Sequence, residues 1–182
     1  MTTLSSRSPS PPIFGDACFD ESGRYRYRLT RAWDRCGPRV VFIMLNPSTA
    51  DARRDDPTIR RAIGFARRWR FASLTVVNLF AWRATRVADL RRAADPIGPL
   101  NDEHILDAVR SAERVVAAWG NQGVWRDRGR TVAGMLPAGV SLLALGMTNE
   151  GMPRHPLYVP ANARLRRYRT RPPIGRKRGV GE

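Results

Sequence analysis

The sequence predicts a three-layer α/β/α domain on a mainly parallel four-stranded core sheet, with an N-terminal antiparallel strand at the edge. Three observations carry this expectation. Apolar runs rich in β-branched residues recur at 40–45, 74–79, 114–119 and 140–145. Stretches with helical apolar spacing lie between them, and strands that alternate with helices need crossover connections, which impose parallel pairing. One further stretch, 24–33 (Arg-Tyr-Arg-Tyr-Arg-Leu-Thr-Arg-Ala-Trp), alternates basic with apolar or aromatic residues. Period-2 alternation marks a half-exposed strand, antiparallel and at a sheet edge.

The elements follow in order. Residues 1–15 read as a disordered leader, because Ser, Thr and Pro dominate 1–12 and no apolar signal-peptide core is present. After the strand at 24–33, Asp34-Arg35-Cys36-Gly37-Pro38 is a turn. The run 40–45 is apolar throughout, so it is buried on both faces and central. Asp56-Pro57 opens a helix, with Asp as N-cap and Pro at the first helical position. Ile59, Ile63, Phe65 and Ala66 supply its apolar face; Arg60, Arg61, Arg67 and Arg68 supply a basic one. A short helix is expected near 87–93, a longer one over 101–112, another over 125–135 and a last short one near 162–168. Residues 16–168 form a single α/β domain in this reading, and 169–182 a basic disordered tail.

Composition narrows the function. Thirty-two basic residues against 16 acidic give a net charge of +16, and Lys177 is the only lysine. Residues 163–182 alone hold eight basic residues and one acidic. Such a balance fits a solubilising surface with a loose basic tail, and it equally fits a polyanionic partner, because phosphate neutralisation drives non-specific nucleic-acid binding. No apolar run nears the roughly 20 residues that span a bilayer, so no membrane association is expected. Two cysteines, Cys18 and Cys36, cannot build a four-cysteine metal site. Reduced thiols and a cytoplasmic location are the expectation. Without a Gly-x-Gly-x-x-Gly or Walker loop, no nucleotide cofactor is expected, and no motif calls for a metal.

Polar groups stand just past four strand ends: Asn46-Pro47-Ser48, Asn78, Gly120-Asn121 and, further downstream, His155-Pro156. Parallel strands put their C-terminal ends on one edge, so all four can converge on the crevice where open α/β sheets bind ligands. His155 is one of two histidines in the chain; the other, His104, falls in a helical pattern. Asp51, Asp55 and Asp56 crowd the loop after Ser48, with Asp51 a secondary site candidate and Asp56 foremost a helix cap.

The order Asn46-Pro47, Asn78-Leu79-Phe80-Ala81-Trp82-Arg83, Trp119-Gly120, His155-Pro156 resembles the uracil-DNA glycosylase superfamily over residues 40–160. The segments Leu45-Asn46-Pro47-Ser48-Thr49-Ala50-Asp51 and Pro153-Arg154-His155-Pro156-Leu157-Tyr158 also resemble a bacterial family of unknown function. The first resemblance implies a uracil-DNA glycosylase-like fold and a metal-independent hydrolase of the N-glycosidic bond, acting on a damaged or modified base in nucleic acid in the manner of a DNA repair enzyme. It implies that Asn78 reads the base edge, that His155 stabilises charge on the departing base, and that Asn46 positions water. Ser48, Phe80, Gly120, Asn121 and Asp51 complete the expected substrate site, with Phe80 or Trp82 stacking on the base and Leu157 as a wedge. An amide is a poor general base, so Asn46 implies a slow or selective enzyme. The frame Met44-Leu45-Asn46-Pro47-Ser48 lacks the flanking glycines of the superfamily's Gly-x-Asn-Pro-Gly, which reshapes the pocket. Two other readings stay open. One is a non-catalytic module that binds nucleic acid or a modified base. The other is a hydrolase of a small nucleoside-like metabolite, with Asp51 or Asp56 as base and the tail incidental.

Overall fold

Seven strands form one sheet in the order β1-β2-β4-β3-β5-β6-β7. The computed structural model describes residues 13–34 and 36–170. The strands are β1 (Phe14–Phe19), β2 (Arg26–Ala32), β3 (Arg39–Met44), β4 (Ser73–Asn78), β5 (Arg114–Ala117), β6 (Leu142–Ala144) and β7 (Arg166–Arg167). The helices are α1 (Pro57–Arg68), α2 (Val87–Arg92), α3 (Asn101–Arg110) and α4 (Arg128–Met135). Strands β4, β3, β5 and β6 pair in parallel, while β2 on β4, β1 on β2 and β7 on β6 are antiparallel. The four expected core strands are therefore present and mutually parallel.

The pleat of β3 explains why it is apolar at every position. Val40, Phe42 and Met44 point to one face, where Ile59, Ala62, Ile63, Phe65 and Ala66 of α1 cover them. Val41 and Ile43 point to the other, against Leu90 of α2, Ile105 and Val109 of α3 and Val132 of α4. Residues i and i+2 share a face of a strand, so each side supplies one core. Strands β4 and β5 divide in the same way: Leu74, Val76 and Val116 go to the first face, and Val77, Val115 and Ala117 to the second.

Local signals set the helix starts. Asp56 Oδ1 accepts the N–H of Ile59 at 2.8 Å, and Pro57 occupies the first helical position, where its missing N–H costs nothing. From β3 the chain passes through α1 to β4 on one side. It then returns past β3 through α2 and α3 to β5 on the other. The boundary between β3 and β5 is thus the point where the winding reverses, and their C-terminal ends diverge there to open a crevice.

Four expectations need correction. Residues 24–33 do not form the edge: β2 lies between β4 and β1, and β1 is the edge. Its Phe-Gly-Asp-Ala-Cys-Phe sequence shows no clean alternation, so pairing with β2 overrides weak local propensity. The segment 162–168 is not a helix. It is extended into β7, because the N–H of Tyr168 reaches the Leu142 carbonyl at 2.8 Å and its ring packs edge-on against Trp119 at 5.6 Å. The helix expected from 125 starts at Arg128, after a 3-10 turn whose end carries left-handed Arg126 and Asp127. Of the leader expected over 1–15, Phe14 and Gly15 belong to β1. Residues 1–12, and 171–182 of the tail, lie outside the described residues. Among the described residues, no helix is long and apolar enough to cross a membrane.

Candidate functional site

A cleft of about 540 Å³ opens at the C-terminal edge of the sheet, over the β3/β5 boundary. That volume suits a small organic ligand. Six of the eight residues singled out from sequence line it: Asn46, Ser48, Asn78, Gly120, Asn121 and His155.

Each is held by the backbone logic of its strand end. Asn46 follows β3 and donates both amide hydrogens to carbonyls, to Pro47 at 2.9 Å and Ala84 at 2.7 Å. The N–H of Ala84 returns a bond to the Pro47 carbonyl at 2.9 Å. The amide therefore ties the Asn-Pro-Ser loop to the segment after β4, and Oδ1 is left as its one unused group. Asn78 closes β4 and is 1% exposed. Its Oδ1 is sealed from solvent with no protein partner. The strand end beneath it is fixed, because Asn101 donates to the Asn78 and Leu79 carbonyls at 3.0 and 3.1 Å. Gly120 sits at φ 68°, ψ −169°, a conformation that a side chain opposes, and its N–H bonds the Pro153 carbonyl at 2.9 Å. That bond docks the His155 loop against the end of β5. Asn121 donates to Glu150 at 2.6 Å, while its Oδ1 is buried without a partner.

His155 stands before a 3-10 turn, Pro156–Tyr158, that packs on α1. Its Nδ1 accepts the N–H of Leu157 at 3.4 Å, which leaves the proton of the neutral ring on Nε2. Burial lowers its pKa from the ordinary histidine value, against an opposing pull from the Asp56 carboxylate. Near neutral pH the ring is an uncharged Nε2–H donor.

Phe80 and Asp51 do not face the cleft. Phe80 is fully buried and stacks on Trp125 at 4.8 Å on the α3 side of the sheet, because the residue after Leu79 turns back into the core. Asp51 spends its carboxylate on the N–H groups of Arg53 and Arg54, both at 2.8 Å, and those two bonds lower its pKa. Trp82 packs edge-on against Tyr25 at 5.3 Å. Leu157 is 43% exposed beside the cleft.

Sequence reasoning misses several lining groups. Arg26 of β2 is 2% exposed and reaches the cleft. Burial lowers its pKa to about 10. Asp56, the helix cap, is the only carboxylate on the lining. Trp119 turns one edge toward the cleft from its core position, and Tyr158 lies at the rim, 73% exposed, with its ring 5.6 Å from that of His155. Arg26 Nε, Asn78 Oδ1, Trp119 Nε1 and Asn121 Oδ1 are buried without partners among the described residues, and all four residues line this cleft; Asn101 Oδ1 is unpartnered too but lies off the lining. Buried polar atoms are almost always paired, so such a concentration marks a place built to pair with something else.

Fold and site together define an α/β domain with a ligand cleft at the switch point of a parallel sheet. Residues 26–157 match a family described as a protein of unknown function (DUF1643), and the chain belongs to that family. Comparison with curated proteins and with solved structures gives no match.

Proposed function

We propose that the protein is a nucleic-acid-directed hydrolase that cleaves the N-glycosidic bond of a damaged or modified base. The observation that carries this reading is the unpaired amide of Asn78 at the cleft floor, in the same cavity as the neutral Nε2–H of His155. A carboxamide offers one acceptor and two donors side by side, the complement of an N–H next to a C=O on a base. Departure of the base leaves negative charge on a ring oxygen, and a fixed neutral donor such as His155 stabilises that charge. Water activation divides between two groups. Asn46 Oδ1 orients the water, and Asp56, whose Oδ1 alone is committed to Ile59, supplies the basic oxygen.

The surface beside the cleft supports a nucleic-acid substrate. Helix α1 runs from the cleft wall, has no acidic residue and exposes Arg60 and Arg68. Arg60 and Arg61 donate to the carbonyls of Asp55 and Val159, at 2.5 and 2.6 Å, and form no ion pair with a carboxylate among the described residues. Arginines on carbonyls keep their charge for phosphates.

The test is base release from single- and double-stranded oligonucleotides containing uracil, hypoxanthine or xanthine. Release that drops by about 10²–10³ in His155→Ala, the usual cost of one oxyanion donor, is expected. Activity that survives His155→Ala and Asn46→Ala unchanged sinks the proposal. Salt-sensitive binding without release selects instead a binding module, a reading favoured by the amide at position 46, where a strong base would be a carboxylate.

A further inference from the structure

Three arginines among the described residues are almost fully buried, and two of them are neutralised in place. Arg31 donates Nε to Asp55 at 2.8 Å and its remaining nitrogens to the carbonyls of Thr30, Asp51 and Arg54. Arg128 pairs with Asp102 and donates Nε to the Leu79 carbonyl at 2.8 Å. Arg26 has one partner, the Ala50 carbonyl, which takes Nη1 at 2.8 Å. Among the described residues, no carboxylate oxygen lies within ion-pair distance of it; the nearby Asp56 commits Oδ1 to the N–H of Ile59 at 2.8 Å. Nε is sealed off and unpaired.

Two donors of Arg26, Nε–H and Nη2–H, have no partner among the described residues and form one edge of the guanidinium, with Nε shielded from water until a ligand displaces what covers it. These two parallel donors match two oxygens of one phosphate or carboxylate. The edge lies on a residue that lines the cleft, together with the hydroxyl-bearing Ser48, Thr58 and Thr85. Helix α1 begins on the same wall, and the Asp56 cap leaves the first-turn N–H of Thr58 unpaired. Helix N-termini favour anions.

We propose that the Nε/Nη2 edge of Arg26 is a phosphate subsite, holding the phosphate of the nucleotide whose base meets Asn78. The proposal rests on the nucleotide reading of the cleft for what carries the phosphate, and not on any bond being cleaved. Charge and geometry favour phosphate over carboxylate: a tetrahedral group can take the guanidinium edge with two oxygens and the hydroxyls and helix N–H with the others. Burial that depresses the guanidinium pKa is what a bound dianion would relieve.

The test is calorimetric titration of the full chain with deoxyuridine and its 5′-monophosphate, deoxyinosine and its 5′-monophosphate, and a single-stranded deoxyuridine pentanucleotide. For at least one base, the phosphorylated form should bind tenfold or more tighter than its nucleoside. Arg26→Met should erase that difference. Arg26→Lys, which keeps charge but loses the fork, should restore part of it. Arg114→Met, a charge loss at the start of β5, the strand end opposite the cleft, should keep it whole. A pentanucleotide that binds tighter than the monophosphate assigns the subsite to a strand phosphodiester; the reverse assigns it to a free nucleotide. Equal binding of nucleoside and monophosphate overturns the subsite. So does a phosphate preference that survives Arg26→Met, one lost equally in Arg114→Met, or no binding of any probe. Thermal melts of each variant confirm that it is folded. Phosphate preference that depends on Arg26, with no base release from any oligonucleotide, would leave the subsite standing and remove the glycosylase reading. His155-dependent release with an unaltered KM in Arg26→Met would do the opposite.

Discussion

Arg31 and Arg26 leave the same strand five residues apart, both sealed from water, yet they are treated in opposite ways. Arg31 is given a carboxylate and three carbonyls, and its bonds pin the 51–55 loop to β2. Arg26 is given one carbonyl and a view of the cleft. The asparagines repeat the contrast. Asn101 donates Nδ2 to two carbonyls that anchor the end of β4, although its Oδ1 is buried without a partner like that of Asn78; Asn78, on that strand end, makes no side-chain hydrogen bond among the described residues. The difference teaches where the molecule holds itself together and where it waits for a partner. A satisfied buried polar group is structural; an unsatisfied one costs stability that only a ligand recovers.

The largest effect should fall on the satisfied group. Arg31→Met strips Asp55 and three carbonyls of their donor, and removing one member of a buried pair costs about 3–5 kcal/mol. Urea denaturation should show the midpoint dropping accordingly. Arg26→Met should cost about 1 kcal/mol or less, since removal of a buried charge with no ion-pair partner offsets the one carbonyl, Ala50, that loses its donor. Should both variants lose equal stability, the distinction between the two arginines collapses.

Asparagine substitutions probe the same contrast at lower amplitude. Asn101→Leu takes the Asn101 donor from the Asn78 carbonyl and leaves the Leu79 carbonyl to Arg128 alone, and should cost about 1–2 kcal/mol, within the range for orphaned buried groups. Asn78→Leu should stay within about 0.5 kcal/mol of the wild type, because the amide it removes takes part in no internal network. Paired melts of the two variants, run beside base release, separate stability from function: Asn78→Leu should melt normally and release no base.

Much of this layout is legible in the sequence, and the reason differs by residue. Asn46, Asn78 and Gly120 stand out because each ends an apolar run that must be a buried strand, and four parallel strands deliver their ends to one edge. His155 stands out because prolines bracket its loop and only one other histidine exists. Arg26 is not legible. Alternation places it among the basic residues of a half-exposed strand, and what covers it, Ala50 and the loop after β3, lies 24 residues away. Asp56 is legible as a cap and, in the metabolite-hydrolase reading, as a candidate base; that it walls the cleft is not legible, since capping alone explains it from local sequence. The aromatic candidates fail for a related reason. Phe80 and Trp82 follow the strand end where a stacking ring is expected, but the chain turns Phe80 inward and gives Trp82 to Tyr25. The ring at the rim, Tyr158, sits beside His155 in a segment with no periodic signal.

The two histidines offer the smallest test, and it runs through pH. Burial lowers the pKa of both, His155 in the cleft and His104 where it stacks on Tyr27 at 4.8 Å. A histidine whose folded pKa lies below its unfolded value binds its proton first in the unfolded chain. It therefore contributes stability that is complete above about pH 6.5 and drains away as pH falls through the folded pKa. Stability should decline from pH 7 toward pH 5, because each histidine takes up its proton first in the unfolded chain. His104→Gln and His155→Gln should each flatten part of that slope. Only the second touches chemistry. Base release in the wild type should keep a plateau through neutrality and fall on the acid side below about pH 6.5, where Nδ1 takes a proton, gives up the Leu157 N–H and turns the ring into a cation. A rate that rises as His155 is protonated would mean that the cation, not the neutral donor, faces the departing base, and the site would have to be rebuilt on that footing.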